Sequence, residues 1–316
     1  SHGDPHIRTL DGLAYSFQTI GEYVLLRGPG GLEVQTRQQR AGVHHVTLNT
    51  AVAIRVGDRR IAIYARDFAG LDLRKSPALI DGRNQKISRR GRAVGGARIS
   101  AVDANAYRIT LAGGETVEVE RRMFGEFAFL DVRVTVTGAP LARYAGLLGD
   151  YDGDRANDLK TRDGAVIVDR QSTYGDWIGV VGGRVSIPAP ISAATRGYFE
   201  TLHARFGESW RVRAEESLFD YGPGESVANY VDRGFPRVYL TTASFLPETV
   251  REAEAACRAE GVDIDLFEGC VFDVALTGDK GLAAIALGRL KNEVRARAQS
   301  EARSRIEREL RRRLPF

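Results

Sequence analysis

Methionine occurs once, at Met123, and not at the first position. The chain is therefore expected to be a processed product or a piece excised from something longer, with any targeting signal lost from it. Cysteine occurs twice, at Cys257 and Cys270, too few for a disulfide-dense miniprotein and without metal-ligand spacing. No stretch approaches the ~18 consecutive apolar residues of a membrane-spanning helix, and the start, Ser1 to Pro5, lacks the apolar core of a signal peptide. Lysine is scarce, 5 against 40 arginines, a skew expected of a GC-rich, bacterial type of genome. Gly-x-Ser-x-Gly, His-Glu-x-x-His, P-loop and dinucleotide fingerprints are all missing, so a turnover enzyme has no visible constellation of residues to stand on.

What is present describes an ordinary folded chain: 316 residues, 43% hydrophobic and 27% charged, enough for roughly two domains with real cores. The formal charge of +4 is local. From Arg289 to Phe316 there are ten Lys/Arg and four Glu, a balance of +6, which leaves the remainder at −2. The body is thus not a basic nucleic-acid binder, and the tail has no aromatic residue before Phe316 on which bases would stack.

Up to about residue 140 the hydrophobic period is two. Tyr107, Ile109 and Leu111 alternate with polar residues, Gly113-Gly114 turns the chain, and Val117 and Val119 return it. Val52, Ile54 and Val56 alternate likewise, Gly57-Asp58 makes a turn, Ile61 and Ile63 continue, and Val132, Val134 and Val136 supply a further strand. Short alternating strands separated by turn signals predict an antiparallel β-sandwich. After residue 190 the spacing becomes helical, in Ala194 to Phe206 and Pro247 to Arg258, with Pro188 and Pro190 marking the passage. The fold class expected is α+β, mainly β: a β domain over 1–185, a small helical module over 195–282 and a basic amphipathic helix over 283–316. In that last segment Leu290, Val294, Ala298, Ala302, Ile306, Leu310 and Leu314 recur every fourth residue, a stripe that winds around a helix. It reads either as a solvated helix or as one that docks a partner or a second copy.

Two segments point to chemistry. The run Gly149-Asp150-Tyr151-Asp152-Gly153-Asp154-Arg155-Ala156-Asn157-Asp158 sets carboxylates at alternate positions around glycine, which lets a tight loop aim several hard oxygens at one Ca²⁺. It begins like an EF-hand loop but has Arg155 at loop position six and Thr161 at position twelve, so an EF-hand is not expected. An acidic surface turn is the plainer alternative. At the start stands Gly3-Asp4-Pro5-His6, followed by Thr9-Leu10-Asp11-Gly12. The Asp4 carboxyl is placed to attack its own main-chain carbonyl, giving a cyclic anhydride, while the proline nitrogen takes a proton and leaves. His6 is the candidate proton donor. A simple turn is again the plainer reading.

Together these segments resemble the von Willebrand factor type D domain. The resemblance rests on Gly3-Asp4-Pro5-His6-Ile7-Arg8-Thr9-Leu10-Asp11-Gly12-Leu13-Ala14-Tyr15-Ser16-Phe17, then Gly21-Glu22-Tyr23-Val24-Leu25, and downstream Gly146-Leu147-Leu148-Gly149-Asp150-Tyr151-Asp152-Gly153-Asp154. It covers roughly residues 1 to 180. Beyond it, Ser209-Trp210-Arg211-Val212, Ser217-Leu218-Phe219-Asp220-Tyr221 and Cys270-Val271-Phe272-Asp273-Val274-Ala275 resemble the linker and cysteine-rich helical (C8-like) module that often follow. The resemblance implies a calcium site from Asp11, Asp150, Asp152, Asn157 and Asp158 by side chain and Asp154 by its carbonyl. It also implies Asp4-Pro5 self-cleavage in some members, with Asp4, Pro5 and His6 as the reacting group. A disulfide between Cys257 and Cys270 is expected if the protein is exported.

Departures matter as well. Leu148 stands where relatives have the cysteine of Gly-Leu-Cys-Gly, and Glu22-Tyr23 replaces another usual cysteine, so mucin-type disulfide polymerisation is not expected. His2 replaces the aromatic before the cleavage motif. Asp150 stands where relatives usually have Asn, and its extra charge should favour the cation. His44-His45 are expected to be exposed, and His203 to be at the surface or half-buried. The function expected is a calcium-binding, extracellular or cell-surface structural and interaction module with a protein partner or self-association. The alternatives are a self-processing protein cut at Asp4-Pro5 and a scaffold that recruits a partner through its tail.

Overall fold

The computed structural model describes Ser1 and residues 5–42, 46–68, 71–73, 76–124, 126–141, 143–167, 193–237, 239–262 and 264–283. His2, Asp4, His44-His45, Pro188, Pro190 and the tail stripe from Leu290 lie outside the described residues. The described residues fall into two compact units, one drawn from Ser1–Arg170 and Ser192–Tyr239, the other from Leu240–Phe316.

In the first unit the expected period-two segments form two antiparallel meanders and a short ribbon. The ribbon pairs β1 (His6–Arg8) with β2 (Ala14–Ser16). Six strands follow in sequence order: β3 (Gly21–Arg27), β4 (Glu33–Arg40), β5 (Thr47–Val56), β6 (Arg59–Tyr64), β7 (Ala78–Ile80) and β8 (Arg83–Asn84). Five more make the second sheet: β9 (Arg92–Val94), β10 (Ala97–Ala101), β11 (Ala106–Leu111), β12 (Thr116–Phe124) and β13 (Phe127–Thr135). Every neighbour is a chain neighbour, which tight glycine turns allow. Gly57 closes β5 to β6 at φ +60°, and Gly114 closes β11 to β12 at φ +91°. Cross-strand pairs such as Val52↔Ile63, Ile54↔Ile61 and Ile109↔Val117 set the inward face. Val52, Ile54, Ile61 and Ile63 meet Ile99, Ile109, Val117, Leu130 and Val132 of the other sheet in one buried cluster, as a sandwich requires. Val136 lies just past the end of β13 and packs against this core only in part.

The expected boundary near 185–195 does not coincide with the division of the units. Residues 193–237 lie with the sandwich because they supply what its six-stranded sheet lacks. The free edge of β3 is paired by Trp210 and Val212: the Val24 N–H donates to the Trp210 carbonyl at 2.9 Å and the Val212 N–H to the Glu22 carbonyl at 2.8 Å. Unpaired edges invite association, and this segment removes one. Leu218 and Phe219 cover the outer face of the same sheet, against Ala51, Ala53, Ala62 and Tyr64. That cover explains why β5 is buried on both faces and why the small residues Ala51 and Ala53 stand beneath it.

Helix α1 (Ala193–Thr201) runs into a π-helical turn, Leu202–Gly207. In the second unit, α2 (Pro247–Ala259) starts on a proline, whose missing N–H costs nothing in the first turn, and buries Val250, Ala253 and Cys257 at helical spacing. Gly261 turns the chain at φ +68°, and α3 (Ile264–Thr277) follows. Cys257 and Cys270 form a disulfide between these helices.

Candidate metal centre

The acidic loop and the N-terminal turn meet because both are tied to β3. The Leu147 and Leu148 N–H groups donate to Val24 and Leu25, and Arg27 and Ala145 exchange two main-chain bonds. Leu10 N–H in turn donates to the Leu148 carbonyl at 2.8 Å, and the Tyr15 hydroxyl to the Leu147 carbonyl at 2.6 Å. The turn carrying Asp11 is thus hung from the Gly-Leu-Leu-Gly segment. Two glycines allow it: a Cβ at Gly146 would lie 2.7 Å from the Leu25 carbonyl oxygen, and one at Gly149 only 2.0 Å from Asp158 Oδ1.

Asp11, 141 residues from Asp152, accepts that residue's N–H at 3.0 Å on Oδ2 and the Gly153 N–H at 3.1 Å on Oδ1. Asp152 accepts from the Asp154 N–H at 2.8 Å and from Asn157 Nδ2 at 2.7 Å. One carboxylate oxygen each from Asp11, Asp150 and Asp152 lie within 4.8 Å of one another. Asp158, fully buried, accepts the Thr9 hydroxyl at 2.6 Å on Oδ2. Asp154 turns its side chain to its own loop, capping the short turn Arg155–Asn157 through the Ala156 N–H at 2.9 Å. The fold therefore brings together Asp11, Asp150, Asp152, Asn157 and Asp158, and leaves the Asp154 carboxylate outside. Thr9 and Lys160, which pairs with Asp150 Oδ2, are the participants that sequence reasoning missed. Thr9 was inside a motif already in hand, whereas nothing in the spacing marked Lys160.

The electrostatics are those of carboxylates crowded without enough positive charge. Burial pushes Asp158 up to about 7, and the charges of Asp11, Asp150 and Asp152 add to the rise against the Thr9 bond. Burial raises Asp11 as well, offset by its two main-chain donors. Asp152 is held below the usual range by Asn157 and the Asp154 N–H. Three buried oxygens, Asp150 Oδ1, Asn157 Oδ1 and Asp158 Oδ1, have no hydrogen-bond partner. Each such orphan ordinarily costs about 1–3 kcal/mol, and a cation would satisfy them. Donors that are all oxygen fit a hard cation such as Ca²⁺ and do not suit zinc.

A model of the von Willebrand factor type D domain matches residues 1–165, more than half of the chain. The chain belongs to this family. Human Sushi domain-containing protein 2 is 26% identical over 289 residues, 87% of this chain and 30% of that protein. Silkworm (Bombyx mori) protein mesh is 21% identical over 94% of the chain and 18% of its own length, and pig (Sus scrofa) zonadhesin 25% over 56% and 6%. The chain thus spans about a third or less of these relatives. Family members of this kind are extracellular or secreted, and this type D chain is an extracellular or cell-surface protein. No helix among the described residues is long and apolar enough to cross a membrane.

At the other motif, Asp4 lies outside the described residues, and its flanks are held. The Val132 N–H donates to the Ser1 carbonyl at 2.8 Å, and the Phe17 N–H to the Pro5 carbonyl at 2.9 Å. His6 is buried in β1 with Nδ1 3.0 Å from the Ser16 hydroxyl. His203 corrects an expectation. It is buried in the π-helical turn, its ring 5.6 Å from Phe17, 5.7 Å from Phe199 and 5.7 Å from Tyr239, because that face of the turn packs on the ribbon's aromatic core.

Proposed function

We propose that this type D domain binds Ca²⁺ through Asp11, Asp150, Asp152, Asn157 and Asp158, with the Asp154 carbonyl as an added ligand, and acts as an extracellular structural and interaction module. The observation that carries the reading is the meeting of Asp11 with Asp150 and Asp152 across 141 residues of chain, beside buried oxygens without partners. A cation there would join two remote segments of the chain, doing the cross-linking that disulfides do in related domains. Metal bound only by the folded state stabilises it, by about 2.7 kcal/mol at a hundred times Kd. Calorimetry is expected to show calcium binding in the full chain and its loss or strong weakening in Asp152→Ala. Melting should rise by several degrees with calcium, and magnesium should compete poorly, since an irregular loop suits the larger cation. Full-length protein whose melting is the same in calcium and in chelator would refute the reading.

A further inference from the structure

Asp150 was expected to strengthen the site by its added charge, but in the fold it does not stand alone. Lys160 Nζ donates to Asp150 Oδ2, with the Asp150 side chain 11% exposed and that of Lys160 33%. The main chain from which the ammonium reaches is fixed. Lys160 pairs with Val166 in an isolated bridge, its carbonyl accepts Trp210 Nε1–H at 2.9 Å, and the preceding residue, Leu159, is buried in the sandwich core. The other Asp150 oxygen, Oδ1, is buried and unpartnered, so the lysine satisfies only one side of the carboxylate.

We propose that Lys160 is a tethered counter-ion of the calcium centre, an intramolecular competitor that neutralises Asp150 when metal is absent and must withdraw for the cation to bind. The inference rests on the calcium reading above. A +1 ammonium on a ligand oxygen repels an arriving +2 ion, and the four-carbon stem, a third exposed, lets the head swing into water without moving the main chain. Asp150 and Lys160 together add no net charge, so they act as a pair. The carboxylate supplies a strong ligand, and the lysine sets the affinity back toward the millimolar range of extracellular modules, where occupancy follows the surrounding calcium.

A double-mutant cycle in the full chain tests this, with calcium titrated by calorimetry at low salt. Lys160→Gln is expected to bind about tenfold tighter than the parent, whereas the same change made in the Asp150→Asn background is expected to alter affinity much less, because the lysine has lost the carboxylate it competes for. The gain in Lys160→Gln should shrink as salt screens the repulsion. Melting gives a second readout: in chelator Lys160→Gln should melt below the parent, having lost its internal cation, and in saturating calcium the order should close or reverse. Binding by Lys160→Gln alone would also support the inference. Parent protein that binds calcium while Lys160→Gln binds equally or more weakly would overturn the counter-ion and leave the calcium centre standing. No binding by any of the four proteins, with melting indifferent to calcium, would overturn both.

Discussion

His203 has both ring nitrogens buried without a hydrogen-bond partner, among the rings of Phe17, Phe199 and Tyr239. Burial lowers its pKa from 6.5 to about 3. The unfolded chain therefore binds a proton that the folded chain refuses throughout the window between these values. Stability contributed by neutral His203 is complete above about pH 6.5 and is lost as pH falls toward 3, amounting to about 2 kcal/mol by pH 5. The full chain is expected to melt progressively lower from pH 7 to pH 4.5, with a shallower slope in His203→Phe. An unchanged slope in that variant would assign the acid sensitivity to other groups. The aromatic company of this histidine was invisible in the sequence, because Phe17 lies 186 residues away and only the packing of the π-helical turn brings it near.

At the scale of elements, the segment from Trp210 to Tyr230 acts as a strap over β3, β4 and β6. Its anchor is a buried ion pair: Arg37 Nε donates to Glu22 Oε1 at 2.8 Å, with Glu22 fully buried and Arg37 2% exposed. Glu22 Oε2 accepts from the Ser217 hydroxyl at 3.1 Å and the Tyr221 hydroxyl at 2.7 Å, while the Arg37 guanidinium lies 3.6 Å from the Tyr230 ring centre and 4.6 Å from that of Phe219. Removing one partner leaves an uncompensated buried charge, so Glu22→Leu or Arg37→Met alone should cost about 3–5 kcal/mol, whereas the two together should cost less than either single change. Denaturant unfolding of the three variants measures this, and additive losses would contradict it. In the second unit the Cys257–Cys270 disulfide closes α2 onto α3. Unfolded, unreduced protein should show no reactive thiol, and two after reduction. Replacing both cysteines by serine should lower stability by roughly 2–4 kcal/mol.

On the scale of the whole molecule, the first unit is a sandwich with its strap and one acidic centre, and the second carries the disulfide-linked helices. That residues 195–282 form a module like the cysteine-rich one is a proposal, as is capture of a partner or a second copy by the four-residue stripe of the tail. If the stripe docks, Ile306→Ser with Leu310→Ser is expected to abolish self-association in light scattering while leaving the melting of the body unchanged. Identical scattering from the parent and this variant would leave the stripe as a solvated helical face.

Strand periodicity and turn glycines were enough to predict the sandwich and its mainly β class, whereas the place of Asp11 beside Asp150 and Asp152 was implied only by the resemblance to the type D family. Periodicity and turns are local patterns, and alternation with tight turns leaves a meander little choice of neighbours. The strap could not be read in the same way. Trp210, Val212, Leu218 and Phe219 have no period of their own and are explained only by the edge and face of the sheet they cover. Lys160 was unreadable for a related reason: a lysine after an acidic loop is ordinarily a solvated charge, and only the register that holds its main chain between Val166 and Trp210 turns it onto Asp150. The sequence by itself determined the strands, the turns and the run of oxygens from Asp150 to Asp158, because hydrophobic alternation and glycine turns act over short range, and it took the fold to bring Asp11 to them. Only the tertiary structure decided what those charges face, because electrostatic partners depend on distances that the fold alone establishes.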